Sequence, residues 1–305
     1  MNTELIRKKL EELKQVAKDS GLDLAEEIGV LDVKVQASSE NEAVWRRVEL
    51  ARHPDRPNAM DYISRIFDGF IELHGDRAFG DDPAIIGGLA FFNGRPVTVI
   101  ANQKGRTFKE NMFRNHGMGN PEGYRKALRL AKEAEKFRRP IITFVDTAGA
   151  YPGLGAEERG IGEAIARNLR DFSQFKVPII CIIIGEGGSG GALGISVGDK
   201  IYMLENAIYS VISPEGFASI LLHDSTKAKE AAAMLRITSE ELLNFGVING
   251  VIAEPEGGAQ NSPDITASNI KDVISRDLDY LRRRSPAVLV RYRNQKIRKF
   301  GHWNE

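Results

Sequence analysis

VPIICIIIGEGGSGGALG, residues 177–194, runs from an unbroken apolar segment straight into a cluster of glycines. An apolar run without alternation, bounded by proline and glycine, predicts a strand covered on both faces, as in a parallel sheet. The same design stands earlier, in PIITFVDTAGAYPGLG at 140–155, where IITFV ends at Asp146 and opens into a second glycine-rich loop. The intervening residues from about Glu157 to Phe172 carry a helical pattern. Strand, helix, strand predicts parallel neighbours joined by a right-handed crossover, with both glycine loops at the same edge of the sheet.

Outward from this unit the same logic repeats. Ile86–Phe92 and Val97–Ala101 flank Asn93-Gly94, the signature of a tight hairpin. A helix is expected from Pro121 to Phe137, with Tyr124, Ala127, Leu128, Ala131 and Ala134 on its apolar side. Further short strands are expected at Lys200–Leu204, Ile208–Ile212 and Val247–Ile252, and Ser213-Pro214 reads as a helix start. Before residue 50 two helical stripes, Ile6/Leu10/Leu13/Ala17 and Leu24/Ile28/Leu31/Val35, suit packing on the domain or on a partner. The expected organisation is a helical arm at 1–54, a core at 55–260, and a C-terminal helical tail at 261–305. That tail carries eight Lys or Arg and no acid between Arg282 and Lys299.

Composition narrows the field. With 305 residues, 42% apolar and 28% charged, the chain can bury a full core, which excludes disorder and small disulfide scaffolds. Forty-two basic residues balance forty-two acidic ones, so overall charge names no nucleic acid or membrane as partner. The one cysteine, Cys181, lies inside an apolar run and reads as a core thiol; neither a disulfide framework nor a cysteine–zinc site can be built. No apolar run approaches the ~18–20 residues of a membrane span and no secretory signal is visible, so a cytoplasmic protein is expected.

The loop at 185–194 fits three chemistries. Gly185, Gly187 and Gly190 match a dinucleotide fingerprint, with Glu205 near the place of a ribose-binding acid, although the helix before Gly198-Asp199 is too short for that fold. In Gly187-Gly188-Ser189-Gly190-Gly191, Gly187, Ser189 and Gly191 satisfy the nucleophile elbow, but no histidine is evidently placed as its base. The third reading uses only main chain: amides at a strand-to-helix junction form an oxyanion hole, and a side chain at Gly191 would crowd the approach to it. Two such loops at matching positions favour the third.

The segments ARHPDRP, ELHGDRAFGDDPAIIGGLA, QKGR, NPEGYRKALRLAKEAEKF, DTAGAYPGLGAEERGIGEAIARNL, VPIICIIIGEGGSGGALGISVGD and YSVISPEGFASIL resemble those of the bacterial acetyl-coenzyme A carboxylase carboxyltransferase alpha subunits over roughly residues 50–260. The resemblance implies an α/β, crotonase-like spiral of ββα units, and transfer of a carboxyl group from carboxybiotin on a biotin carboxyl carrier protein to acetyl-CoA, giving malonyl-CoA for fatty acid synthesis. It implies a beta subunit as partner, an α2β2 heterotetramer, biotin carboxylase in a wider ATP-binding complex, and zinc on the beta subunit with no metal here. It places the biotin carbonyl on the backbone of Gly190 and Gly191, with Gly187, Gly188, Ser189, Gly149, Ala150, Tyr151 and Gly153 lining the substrate. Lys104, Arg106 and Arg159 become candidates for coenzyme A phosphate, the carrier or the beta subunit, or else surface ion pairs. Ala148 and Gly119 stand where the family usually has proline, which predicts extra loop freedom. A crotonase-type serine hydrolase using Ser189 and a purely scaffolding subunit are the other readings.

Overall fold

The structure, a computed structural model, describes residues 3–20 and 23–301. The chain forms two compact units, residues 1–47 with 214–235, and residues 48–213 with 236–305. In the first unit α1 (Thr3–Ser20) and α2 (Ala25–Ala51) are tied by an ion pair from Lys14 to Asp32 at 2.8 Å. Leu10 and Ala17 of the expected stripe are buried, whereas Leu13 and Leu31 are exposed.

The second unit begins with α3 (Ala59–Ile66), whose Asn58 cap and Asp61 satisfy each other's backbone amides in a capping box. The sheet follows: β1 (Asp68–Glu72), β2 (Ile85–Phe92) and β3 (Arg95–Asn102) are antiparallel neighbours. The β2–β3 turn places Asn93 at φ 48° and Gly94 at φ 73°, the two left-handed positions that the Asn-Gly pair foretells. The chain then runs through α4 (Phe108–Phe113) and α5 (Pro121–Lys136) to β4 (Ile141–Thr147), parallel to β3. After α6 (Leu154–Glu158) and α7 (Ile161–Phe172) comes β5 (Ile179–Gly188), parallel to β4. The short α8 (Ser189–Leu193) leads to β6 (Lys200–Leu204) and β7 (Ile208–Ser210), both parallel to β5.

Helices α9 (Pro214–Leu221) and α10 (Ala228–Leu235) belong to the first unit. Then come α11 (Ser239–Asn244), β8 (Gly250–Ile252) parallel to β6, α12 (Pro263–Leu281) and α13 (Pro286–Ile297). The spatial order is β1-β2-β3-β4-β5-β6-β8, with β7 paired to β5.

Every residue of β4 is buried, as are the first seven of β5, which accounts for their continuous apolar sequence. Truncating one such isoleucine to alanine typically costs about 2–5 kcal/mol. Three expectations change. The helix expected from Glu157 is broken in two by Gly160 at φ 79°. The strand at Ile208 stops at Ser210. Most consequential, β5 does not end at Ile184: Gly185 to Gly188 remain in the strand, because Gly187 pairs with Thr147 of β4 and Glu186 to Gly188 pair with β7.

Candidate active site

Because β4 and β5 are parallel, their carboxyl ends leave the sheet together, and the two glycine segments meet backbone to backbone. A Cβ on Gly188 would overlap the Ala148 carbonyl, and one on Gly191 would lie 2.6 Å from the Gly149 carbonyl oxygen and closer still to the Ala150 nitrogen. These two glycines are therefore required by close approach. Their role differs from the expected one: a side chain at Gly191 would strike the neighbouring loop before it crowded any substrate. Gly190 is the reverse, since a Cβ there would make only ordinary contact with Ile165, at 3.7 Å, and at Gly149 nothing lies within 4 Å. Gly187 packs against Tyr209, and Gly153 against the Tyr151 ring.

Ser189, exposed and at φ 48°, makes the turn from strand to helix in a single residue. The amides of Ser189, Gly190 and Gly191 stand in the first turn of α8, where a helix offers no acceptor, and no side chain caps them. Two helices hold this turn in place. Tyr124 of α5 donates its hydroxyl to the Gly191 carbonyl at 3.1 Å, and Asn168 of α7 donates to the carbonyls of Tyr124 and Gly194 at 3.0 and 2.9 Å. The first loop is more committed. Thr147 takes the Gly149 amide at 3.1 Å and donates to the Gly149 carbonyl, while the Tyr151 amide donates to the Gly119 carbonyl at 3.0 Å. The expectation of equivalent donors from both loops thus narrows, in the first loop, away from Gly149 and Tyr151. Nor is Gly119 loose: a Cβ there would meet Ile85 and Tyr124 at 2.7 and 3.0 Å.

Beneath the loops lies a charge network. Lys104 bonds Asp146 at 2.7 Å and Glu186 at 3.0 Å, and Arg52 bonds the other Glu186 oxygen at 2.7 Å. The Glu186 amide donates to Asp146. Burial opposes charge on Lys104, yet the two carboxylates outweigh it and raise its pKa; burial likewise opposes charge on Glu186, but Lys104 and Arg52 pull its pKa down. Lys104 is thus committed to anchoring the ends of β4 and β5. Arg106 pairs with Asp61 at 2.5 Å, and Arg159 pairs with Glu122 at 3.0 Å while stacking on Phe79. All three are engaged with carboxylates, as the ion-pair reading expects, although Arg106 keeps about half of its side chain exposed. The elbow reading gains no support, because among the described residues no histidine hydrogen-bonds Ser189; His74, for example, bonds Asp81.

Sequence reasoning singled out the glycines and Lys104 but missed Thr147, Tyr124 and Asn168 as positioning groups. Asn168 left a signal, a lone amide on the buried side of an otherwise amphipathic helix. Among the described residues no cluster of acidic, histidine or cysteine side chains has the form of a metal site, and no helix is long and apolar enough to cross a membrane.

Comparison with known proteins identifies the family and the fold. Residues 2–301 match the family model described as acetyl co-enzyme A carboxylase carboxyltransferase-like. The acetyl-coenzyme A carboxylase carboxyl transferase subunit alpha of Treponema denticola is 66% identical over 296 residues, covering 97% of each chain. That of Bacillus cytotoxicus is 54% identical, covering 97% of this chain and 93% of its own. Among solved structures, a transcarboxylase 12S superposes with a TM-score of 0.58 at 23% identity, over 71% of this chain and 40% of that one. The beta subunit of P. aeruginosa geranyl-CoA carboxylase gives 0.56 at 16%, over 79% and 43%. The chain belongs to the acetyl-coenzyme A carboxylase carboxyl transferase alpha subunits, biotin-dependent carboxyltransferases built on a crotonase-like fold.

Proposed function

We propose that this chain supplies the biotin-binding half of a carboxyltransferase site, with the amides of Gly190 and Gly191 directed at the ureido oxygen and a beta subunit completing the site in an α2β2 assembly. Carboxybiotin, delivered on its carrier protein, is the substrate that brings the carboxylate. The observation that carries this reading is the first turn of α8, seated against residues 148–150 with amides that the helix leaves without acceptors. Open space at Gly149 and the mild surroundings of Gly190 suit a planar group laid on the backbone.

The chain's own contribution is electrostatic. Rigid amides aimed at an oxygen that gains negative charge stabilise the transition state without reorganising, and each such donor is typically worth about 2.7–4 kcal/mol. Tyr124, Asn168 and Thr147 fix the peptide planes, and the Lys104–Asp146–Glu186 network locks the two strand ends in register. No side-chain acid or base of this chain is needed, provided that the freed ureido nitrogen accepts the methyl proton of acetyl-CoA. Zinc is assigned to the beta subunit, and the setting is the cytoplasm.

The test is reconstitution. The purified chain alone should make almost no malonyl-CoA, and adding beta subunit, carboxylated carrier and acetyl-CoA should restore it. Assembled subunits that remain inactive would refute the proposal.

A further inference from the structure

The basic segment that opens at Arg282 is not among the residues assigned above to carboxyl transfer. With the end of α5 and the residues just before β4 and β5, it encloses a cleft of about 540 Å³. Pro140, Val177, Pro178, Leu281 and Leu289 are buried and form an apolar floor. Around them stand Arg138, Lys176, Arg282 and Arg284, against the single carboxylate of Glu135. Glu135 is itself engaged, accepting from the Lys176 amide at 2.8 Å. Arg284 lies against the rings of Tyr280 and Tyr292, at 4.7 and 5.7 Å, and donates to the Tyr280 hydroxyl. Among the described residues no hydrogen bond or ion pair engages the side chains of Arg138, Lys176 or Arg282.

Arg282 is the informative member. It is half-buried, and its charged form is disfavoured first by burial and second by the positive charge of Arg95, with only Asp279 opposing. Buried cations elsewhere in this unit are matched: Arg293 pairs with Asp199 at 2.8 Å, and Arg56 with Glu254 at 2.6 Å. A guanidinium placed against a like charge with no acceptor of its own leaves a position that an anion would stabilise. The start of α13 adds to this field, since Pro286 lines the cleft and the Ser285 side chain does not cap the helix.

We propose that this cleft binds a phosphorylated small molecule of the nucleoside diphosphate class, its phosphates on Arg138, Lys176 and Arg282 and its ring on the proline and leucine floor. The volume lies in the ordinary range for small-molecule sites. The cleft adjoins Pro140, before the first residue of β4, whereas the glycine loops follow the last, seven residues and roughly 20 Å away at ~3.3 Å per residue. The ligand would therefore bind apart from the carboxyl-transfer site.

The experiment is calorimetric titration of the whole chain with ADP and with inorganic pyrophosphate at low salt, using wild type, Arg282→Gln and the Arg138→Gln/Arg282→Gln pair. ADP should bind, pyrophosphate should compete more weakly because it lacks a ring, and the double variant should lose about tenfold or more in affinity. Arg236→Gln, at a separate surface ion pair with Glu241, should bind as wild type. Without ligand, Arg282→Gln should melt no lower than wild type, because it relieves the Arg95 repulsion. Failure of the folded chain to bind ADP at millimolar concentration, unchanged affinity in the double variant, or a lowered melting temperature in Arg282→Gln would each overturn the proposal. So would binding of a polyglutamate peptide without ADP, which would make the cleft a protein dock.

Discussion

Alanine at Gly190 and alanine at Gly191, one residue apart, should behave as opposites. At Gly191 the new methyl would lie 2.6 Å from the Gly149 oxygen, whereas ordinary carbon contacts begin near ~3.4 Å, so the two loops must part by about 1 Å. Both obstructing groups are backbone held by Thr147, so they do not swing aside. Overpacking of this kind costs about 1–3 kcal/mol of stability, and a displacement of about 1 Å at a reacting centre costs on the order of a hundredfold in rate. At Gly190 the methyl meets only Ile165, at 3.7 and 3.8 Å, so stability should stay within about 0.5 kcal/mol and turnover should fall less than tenfold. The assay is malonyl-CoA formation by each variant assembled with wild-type beta subunit, alongside urea unfolding of the alpha chain. Wild-type stability and turnover in Gly191→Ala, or equal damage from both variants, would refute the loop contact as the determinant.

Three further outcomes follow from the same geometry. Lys104→Met should destabilise the chain by about 3–5 kcal/mol in urea unfolding, because it leaves Asp146 and Glu186 buried side by side without their shared cation; a loss under 1 kcal/mol would contradict the network's structural role. Asp82, buried and pushed up to about 6 chiefly by desolvation against the amides of Ala84 and Asn120, binds its proton more tightly folded than unfolded. Its contribution to stability is thus present at pH 4 and declines as pH rises to 6, by up to roughly 3 kcal/mol, a slope that Asp82→Asn should remove in pH-dependent unfolding. Ser189→Ala should keep carboxyl transfer within about tenfold of wild type, and abolition of activity would reinstate the serine as a reacting group.

Much of this architecture was written in local pattern. Asn93-Gly94 announced its hairpin because only left-handed backbone closes a two-residue turn, and the uninterrupted runs at 141–145 and 179–184 announced strands covered on both faces. Local pattern failed where the partner decides. Gly185–Gly188 is strand because Thr147 and β7 pair with it, and β1, mostly exposed, carries no apolar alternation. The glycines flagged the site, but not which of them touch: Gly188 and Gly191 are fixed by loops some forty residues earlier in the chain. Likewise nothing near Lys104 reveals that Asp146 and Glu186 await it, since an ion pair between distant positions leaves no periodicity.

The most direct test is a structure of the assembled alpha and beta subunits with a biotinyl ligand trapped in place. The account predicts the ureido oxygen at about 2.7–3.1 Å from the amide nitrogens of Gly190 and Gly191. Amides turned away from the ligand, or already satisfied by carbonyls of their own chain, would contradict it.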